Sequence, residues 1–196
     1  MRSREGKVVI IAGPSGVGKN SIIAGVIERY PQCSEIVTAT TRVPRPHEKE
    51  EVDYYFLSSE VFERHVAEGT IPEFRVHPTT GARYGTYLPD LTARLERGDI
   101  AMGDFNIEGV RFLKKSFKAL AIFILPPAFE ALEQRIRARN ASMPEDELQK
   151  RLTVAKYEIE QDAPLYDYRV VNEEGKLEET VDKVIEILKK EGYLQE

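Results

Sequence analysis

Residues 13–21 combine three glycines, a lysine and two serines in the order G-P-S-G-V-G-K-N-S. Glycines allow backbone N–H groups to curl around phosphate oxygens, and the N-terminus of a following helix adds partial positive charge. A lysine at this spacing reaches the β- and γ-phosphates of a nucleotide. The pattern predicts a phosphate-binding loop whose nucleotide contacts come from Gly13, Ser15, Gly16, Val17, Gly18, Lys19, Asn20 and Ser21.

Asn20 stands where such a loop normally supplies a Ser or Thr hydroxyl to Mg²⁺. A carboxamide oxygen can ligate Mg²⁺, but it lies at the end of a longer side chain. Ser21 does not simply replace it, because adjacent helix residues point about 100° apart. Asn20 is therefore a candidate metal ligand of an unusual type.

A second group of polar residues lies in and around a proline-bearing loop. Arg42 and Arg45, three residues apart in T-T-R-V-P-R, can fork onto one phosphate group. Hydroxyls of Thr38, Tyr54 and Tyr84 can complete the shell of that phosphate. The alternative interpretation is a solvated surface loop.

The elements that must position these residues alternate between apolar strands and helical segments. The run 8–12 is apolar and β-branched, as a buried parallel strand should be, and 21–30 carries apolar residues at helical spacing. Further strands are expected at 100–105, 119–125 and 168–172, and further helices at 60–68, 89–97, 127–139, 145–161 and 177–191. This alternation predicts an α/β fold with an open parallel sheet flanked by helices.

The overall amino-acid composition limits the kinds of molecule that the protein is expected to bind. The 196 residues carry 28 basic and 33 acidic side chains, for a net charge of −5, which disfavours a general nucleic-acid surface. The single cysteine excludes an intrachain disulfide. No apolar run approaches the ~18 residues of a membrane span, and no secretory segment is recognisable at the start. We expect a cytoplasmic protein without a membrane partner.

Four motifs, G-P-S-G-V-G-K, T-T-R-V-P-R, D-Y-Y-F and Y-G-T, occur in the order and spacing of guanylate kinases. The resemblance extends over nearly the whole chain. It implies a P-loop nucleoside monophosphate kinase fold, with 1–196 as one domain. Its expected parts are a core (1–34, 89–126 and 162–196), a nucleotide-monophosphate-binding region (35–88) and a lid (127–161).

The resemblance also implies an activity, the transfer of a phosphoryl group from ATP to GMP, and by extension to dGMP, with Mg²⁺. The expected partners are small nucleotides and not nucleic acid, and the chain is expected to be a monomer or a homodimer. GMP phosphate contacts are implied for Thr38, Arg42, Arg45, Tyr54 and Tyr84, and guanine contacts for Glu73 and Thr86. Guanine presents N1–H and N2–H₂ donors on one edge, so a carboxylate suits that edge.

The lid is expected to contribute cations. Arg135 and Arg139 are four apart and share a helix face, and Arg151 follows on the next helix. The resemblance implies that they close over the ATP phosphates, whereas solvated helix arginines are the alternative. With Lys19, Arg42 and Asp104 these three arginines form the expected catalytic set, and Asn172 matches a position that touches adenine.

Two residues near the end of the strand 100–105 are candidates for contacts with the metal ion and with the nucleotide base. Asp104 can hold Mg²⁺ through water. Asn106 stands where the resembled family usually has an acid that contacts guanine, and its carboxamide keeps an acceptor but loses the charge.

Asn20 and Asn106 leave two alternative functions open. One is a kinase for a different acceptor, namely another nucleoside monophosphate or a phosphorylated sugar, and the other is a non-catalytic guanylate-kinase-like binding module.

Overall fold

A computed structural model of the chain describes residues 7–77, 80–139 and 141–195. In chain order its elements are β1 (Lys7–Ala12), α1 (Lys19–Arg29), β2 (Cys33–Glu35), β3 (Ala39–Thr40), β4 (Tyr55–Phe56), α2 (Ser59–Ala67), β5 (Phe74–Val76), β6 (Arg83–Gly85), α3 (Leu88–Arg97), β7 (Ile100–Gly103), α4 (Ile107–Phe117), β8 (Leu120–Leu125), α5 (Phe129–Arg139), α6 (Glu145–Tyr157), β9 (Tyr168–Val171) and α7 (Leu177–Lys190).

The chain divides into two compact units. The first contains the described residues of Met1–Val8 together with Gln32–Ala119, and the second contains Val9–Pro31 and Leu120–Glu196. The expected division into core, nucleotide-monophosphate-binding region and lid is a different partition of the same chain, and it stays a prediction.

Parallel strands form the centre of the second unit. β8 pairs in parallel with β1 on one side and with β9 on the other, with Ile11 opposite Ile122 and Ile124 opposite Val170. Ile10, Ile11, Ile122 and Ile124 are fully buried, as expected for strands covered on both faces. α1 packs closely on α7, because a Cβ placed at Gly25 would lie 2.9 Å from a methyl group of Val181.

The first unit combines a parallel strand pair with a small separate sheet. β2 pairs in parallel with β7. The separate sheet has the order β4-β3-β6-β5, in which β3 is parallel to β4 and antiparallel to β6, and β5 is antiparallel to β6. Ala39, Phe62 and Ile71 form its buried centre. The elements of residues 39–85 thus have a core of their own.

The predicted α/β class, with parallel strands between helices, is confirmed. Two local predictions differ from the structure. The helix α4 follows β7 directly and was not expected, although Asn106 caps its start and Lys118 ends it in the left-handed conformation. The helix expected over 145–161 is regular only to Tyr157 and continues as a π-helical turn, Glu158–Asp162.

The expected interruption between the two lid helices falls between Arg139 and Glu145, and residue 140 itself lies outside the described part of the chain. Within the described residues, no helix combines the length and apolar character needed to span a membrane.

Candidate functional site

The phosphate loop joins β1 to α1 in the second unit, and its shape depends on glycine. Gly13 has φ +142°, and a Cβ there would lie 2.4 Å from the carbonyl oxygen of Ile124 in β8. Gly18 has φ +100° and caps α1, which begins at Lys19, two residues earlier than expected. Both positions exclude a side chain, so the loop backbone lies close to its supports, a shape that lets backbone N–H groups line a phosphate.

Lys19 points back along this loop. Its Nζ donates to the carbonyl oxygens of Gly13 at 2.7 Å and Pro14 at 3.2 Å. Asn20 and Ser21 lie in the first turn of α1 and are exposed to solvent. The loop therefore presents one ammonium group and two exposed polar side chains at a helix N-terminus.

Asn172 supports the phosphate loop from behind. Its Nδ2 donates to the carbonyl oxygen of Val17 at 2.8 Å, and its Oδ1 accepts from Thr180 Oγ1 at 3.0 Å. Asn172 and Thr180 are both buried, and a Cβ on Gly18 would lie 2.7 Å from Asn172 Nδ2. Both polar ends of this carboxamide are thus used inside the protein, where an adenine contact was expected. Thr180 was not identified from the sequence, since it lies in the middle of an ordinary amphipathic helix.

The lid arginines differ in their surroundings. Arg135 donates to Glu174 at 2.9 Å and to the carbonyl oxygen of Asn172 at 3.1 Å, so it lies beside the loop support. Arg151 pairs with Glu147 one turn earlier in α6, and Arg139 is exposed at the end of α5. The structure brings Arg135 to the phosphate loop's support, and leaves the other two on the helix surface.

In the first unit, one face of the small sheet carries most of the predicted acceptor residues. The antiparallel register places Phe74 opposite Gly85 and Arg75 opposite Tyr84, so Glu73 faces Thr86 one step further along the same pair of strands. Because side chains alternate between faces, Glu73 and Arg75 share a face with Tyr84 and Thr86.

Glu73 and Thr86 are joined directly. The Glu73 carboxylate accepts from the backbone N–H of Thr86 at 3.2 Å and from its hydroxyl. Burial raises the pKa of Glu73, and these two hydrogen bonds oppose that shift. The start of α4 lies beside the pair, because a Cβ at Gly109 would be 3.3 Å from Glu73 Oε1. This carboxylate is half-buried and is held in one orientation by Thr86, as expected of a group that accepts hydrogen bonds from N–H donors.

Arg42 lies at the phosphate end of the same surface. Its Nε donates to the Tyr84 hydroxyl at 3.1 Å, and its guanidinium stacks at 5.5 Å from the Tyr54 ring and 5.8 Å from the Phe56 ring. The Tyr54 and Tyr84 rings meet edge to face at 5.8 Å. Burial raises the pKa of Tyr54, so its hydroxyl stays protonated and able to donate.

Glu48 is a member of this cluster that the sequence did not reveal. Its Oε1 accepts from Arg42 Nη2 at 2.7 Å and its Oε2 accepts from the backbone N–H of Arg45 at 2.7 Å. The Arg42 guanidinium beside it holds the pKa of Glu48 at about 2, below its usual range. Only 16% of the Arg42 side chain and 15% of the Glu48 side chain are exposed. In the sequence H-E-K-E-E, nothing distinguishes Glu48 from the other glutamates, which are typical of a solvent-exposed loop.

The other predicted acceptor residues surround these groups. Thr38 is half-buried just before β3, and Arg45 is exposed in the loop that Glu48 ties down. Asn106 is the N-cap of α4, with Oδ1 accepting from the N–H of Gly109 at 3.0 Å. Asp104 is exposed just after β7 and raises the pKa of the neighbouring Glu35, after the larger effect of burial on that group. The predicted guanine acceptor of Asn106 is therefore already engaged by the helix.

The two predicted metal ligands, Asn20 and Asp104, are separate side chains that offer oxygen donors. Among the described residues, no group of three or more His, Cys, Asp or Glu side chains is arranged to hold a metal ion. Asn20 supplies a carboxamide oxygen and Asp104 a carboxylate, each exposed. Both are hard oxygen donors of the kind Mg²⁺ accepts when water and phosphate oxygens complete its shell.

Comparison with known proteins gives a consistent result. Residues 5–191 match the family model described as guanylate kinase. The chain is 39% identical over 170 residues to a guanylate kinase of Nostoc sp., covering 86% of this chain and 83% of that protein. It is 38% identical over 191 residues to one of Syntrophotalea carbinolica, covering 96% and 88%. The crystal structure of guanylate kinase from Anaplasma phagocytophilum matches with a TM-score of 0.72 at 28% identity, over 97% of this chain and 88% of that one.

Proposed function

The chain belongs to the guanylate kinase family, and on that premise we propose how its residues phosphorylate GMP, with dGMP as a second acceptor. The observation that carries the proposal is the sheet face on which Glu73–Thr86 and Arg42–Tyr84 are neighbours. An oriented carboxylate suits the N1–H and N2–H₂ edge of guanine, and an arginine with two tyrosine hydroxyls suits a phosphate monoester.

The phosphate loop and Lys19 bind the phosphates of ATP. For this, Lys19 exchanges the carbonyl oxygens of Gly13 and Pro14 for phosphate oxygens, so the loop is occupied by its own lysine until nucleotide arrives. An oxygen of the GMP phosphate then attacks the γ-phosphorus, the bond to the β-phosphate oxygen breaks, and GDP and ADP leave. Positioning and charge stabilisation supply most of the rate in phosphoryl transfer.

The three arginines and Mg²⁺ have separate roles in this proposal. Arg135, Arg139 and Arg151 neutralise charge on the transferring group, for which each leaves its present surroundings. Mg²⁺ neutralises charge on the ATP phosphate oxygens when bound. Asn20 and Asp104 are the residues that would hold it, directly or through water.

Asn106 favours a second candidate function, a broader choice of acceptor. Its Oδ1 caps α4, so the group it can turn toward a base is the amide N–H₂, a donor. Adenine N1 accepts from such a donor, whereas guanine N1–H does not. Turnover of AMP at a substantial fraction of the GMP rate would support this second function over strict GMP specificity.

Coupled ADP release with GMP, dGMP, AMP, UMP and dTMP tests the proposal directly. We expect GMP to give the highest kcat/KM, dGMP to follow, and the pyrimidine nucleotides to be poor acceptors. Lys19→Ala should lower kcat by about 100-fold or more, because it removes a charge that stabilises the transition state. Lys183→Ala, an exposed lysine in α7, is the matched control. Absence of GMP turnover in the natural protein would overturn the proposal.

A further inference from the structure

Arg75 lies on the sheet face that carries the acceptor residues, although no motif includes it. It is directly opposite Tyr84 in the β5–β6 register, and its guanidinium carbon lies 5.6 Å from the centre of the Tyr84 ring. Arg42 contacts the same tyrosine, because its Nε donates to the hydroxyl. Two guanidinium groups therefore converge on one tyrosine of the phosphate end.

The positive charge of Arg75 acts on one residue of the proposed base contact and on one residue of the proposed phosphate contact. Its positive charge acts to lower the pKa of Glu73 and the pKa of Tyr54, in each case against the larger raising effect of burial. Arg75 therefore acts electrostatically on one residue of the proposed base contact and on one of the proposed phosphate contacts.

The neighbouring arginines of this unit are mostly committed to acids. Arg42 pairs with Glu48, Arg83 with Glu63, and Arg94 with the buried Asp90. Within the described residues, Arg75 has no carboxylate partner at ion-pairing distance, and its side chain is exposed. A guanidinium held on an aromatic ring keeps its N–H groups at the ring edge free for an anion.

We propose that Arg75 is a further substrate-binding residue, the third arginine of the acceptor's phosphate site beside Arg42 and Arg45. The ligand class is the phosphate monoester of a nucleoside monophosphate, so this inference rests on the proposed function. Of the five N–H groups of Arg42, three already donate, to Tyr84, Val43 and Glu48. Arg42 therefore has two left for a phosphate, and Arg75 supplies further donors and a charge that has no carboxylate at ion-pairing distance among the described residues.

The test compares a ligand that has the phosphate with one that lacks it. Dissociation constants for GMP and guanosine are measured by ligand-observed NMR, which detects millimolar affinities, on the natural protein, Arg75→Gln and Arg75→Lys. The matched control is Arg64→Gln, an exposed arginine of α2 in the same unit. We expect Arg75→Gln to weaken GMP about 5- to 10-fold and leave guanosine unchanged, with Arg75→Lys between the two.

Each other outcome overturns the inference. An equal loss for GMP and guanosine would mean that Arg75 serves the base or the fold, and no loss for either would make it a surface cation. The KM for ATP should not change in Arg75→Gln. If the natural protein binds no GMP, the proposed function fails first and this inference fails with it. If the natural protein binds GMP and Arg75→Gln binds it equally well, only this inference fails.

Discussion

At the scale of single residues, the Arg42–Glu48 pair shows how a binding cation is held before a substrate arrives. A free arginine side chain samples many rotamers, and ordering it on binding costs affinity. Glu48 fixes one nitrogen of Arg42 while also fixing the backbone of Arg45. Its negative charge also opposes an incoming phosphate.

The same pair leads to a prediction about stability and pH. The pKa of Glu48 is lowered from its ordinary 4.5 to about 2. A lowered native pKa contributes stability that is fully present above pH 4.5 and is lost as the pH falls toward 2. Glu48→Gln lacks this contribution, so its deficit in urea midpoint relative to the natural protein should be largest at pH 7 and shrink by pH 3.5.

Glu96→Gln, at an exposed acid of α3, is the control for that measurement, and its midpoint should follow the natural protein at both pH values. A deficit of Glu48→Gln that stays constant from pH 7 to pH 3.5 would show that the carboxylate is not specially stabilised in the native state.

At the scale of elements, Asn106 has an observed role as the N-cap of α4 and a proposed role in contacting the base. Asp and Asn are about equally good N-caps, whereas Ala costs about 1 kcal/mol at this position. Asn106→Asp should therefore keep the melting temperature within a few degrees and add one acceptor oxygen at the start of α4, the helix that approaches Glu73 at Gly109. Since one carboxylate oxygen can keep the cap, the oxygen gained is the acceptor offered to the base, and we expect the substitution to raise the ratio of kcat/KM for GMP over AMP about 10-fold.

Asn106→Ala separates the two roles, because it should lower the melting temperature without raising that ratio. The measurement is thermal unfolding alongside kinetics with both acceptors. An unchanged ratio in a stable Asn106→Asp would indicate that this side chain does not meet the base.

Local patterns explain which elements were predictable. β1, the phosphate loop and α1 follow from one continuous pattern of β-branched residues, glycines and helical spacing. α4 was missed because its cap, Asn106, was interpreted only as a base contact. Glu48 and Thr180 were missed for a different reason. Glu48 lies only six positions from Arg42, but the loop conformation that joins them has no residue pattern of its own. Thr180 matters only because its partner Asn172 donates to Val17, which is 155 positions away in the chain.

At the scale of the whole molecule, the residues proposed for the two nucleotides fall largely in different units. The phosphate loop, Asn172 and Thr180, proposed for ATP, belong to the second unit, and the proposed GMP contacts, with the proposed metal ligand Asp104, belong to the first. Ligand binding stabilises the folded state by an amount that depends on each affinity, about 2.7 kcal/mol at 100 times Kd. Thermal shifts with one nucleotide at a time can therefore report each side separately.

Thr180→Val tests the ATP side in this way. Removing the hydroxyl leaves Asn172 Oδ1 buried without its donor, at a cost of about 1–3 kcal/mol, and loosens the support of Val17. We expect the ATP-induced rise in melting temperature to shrink, corresponding to an affinity lower by about 5- to 10-fold, and the GMP-induced rise to stay. Thr180→Ser, which keeps the hydroxyl, should restore most of the ATP response. Equal losses for both nucleotides would indicate that Thr180 supports the fold in general and has no particular role in positioning the phosphate loop.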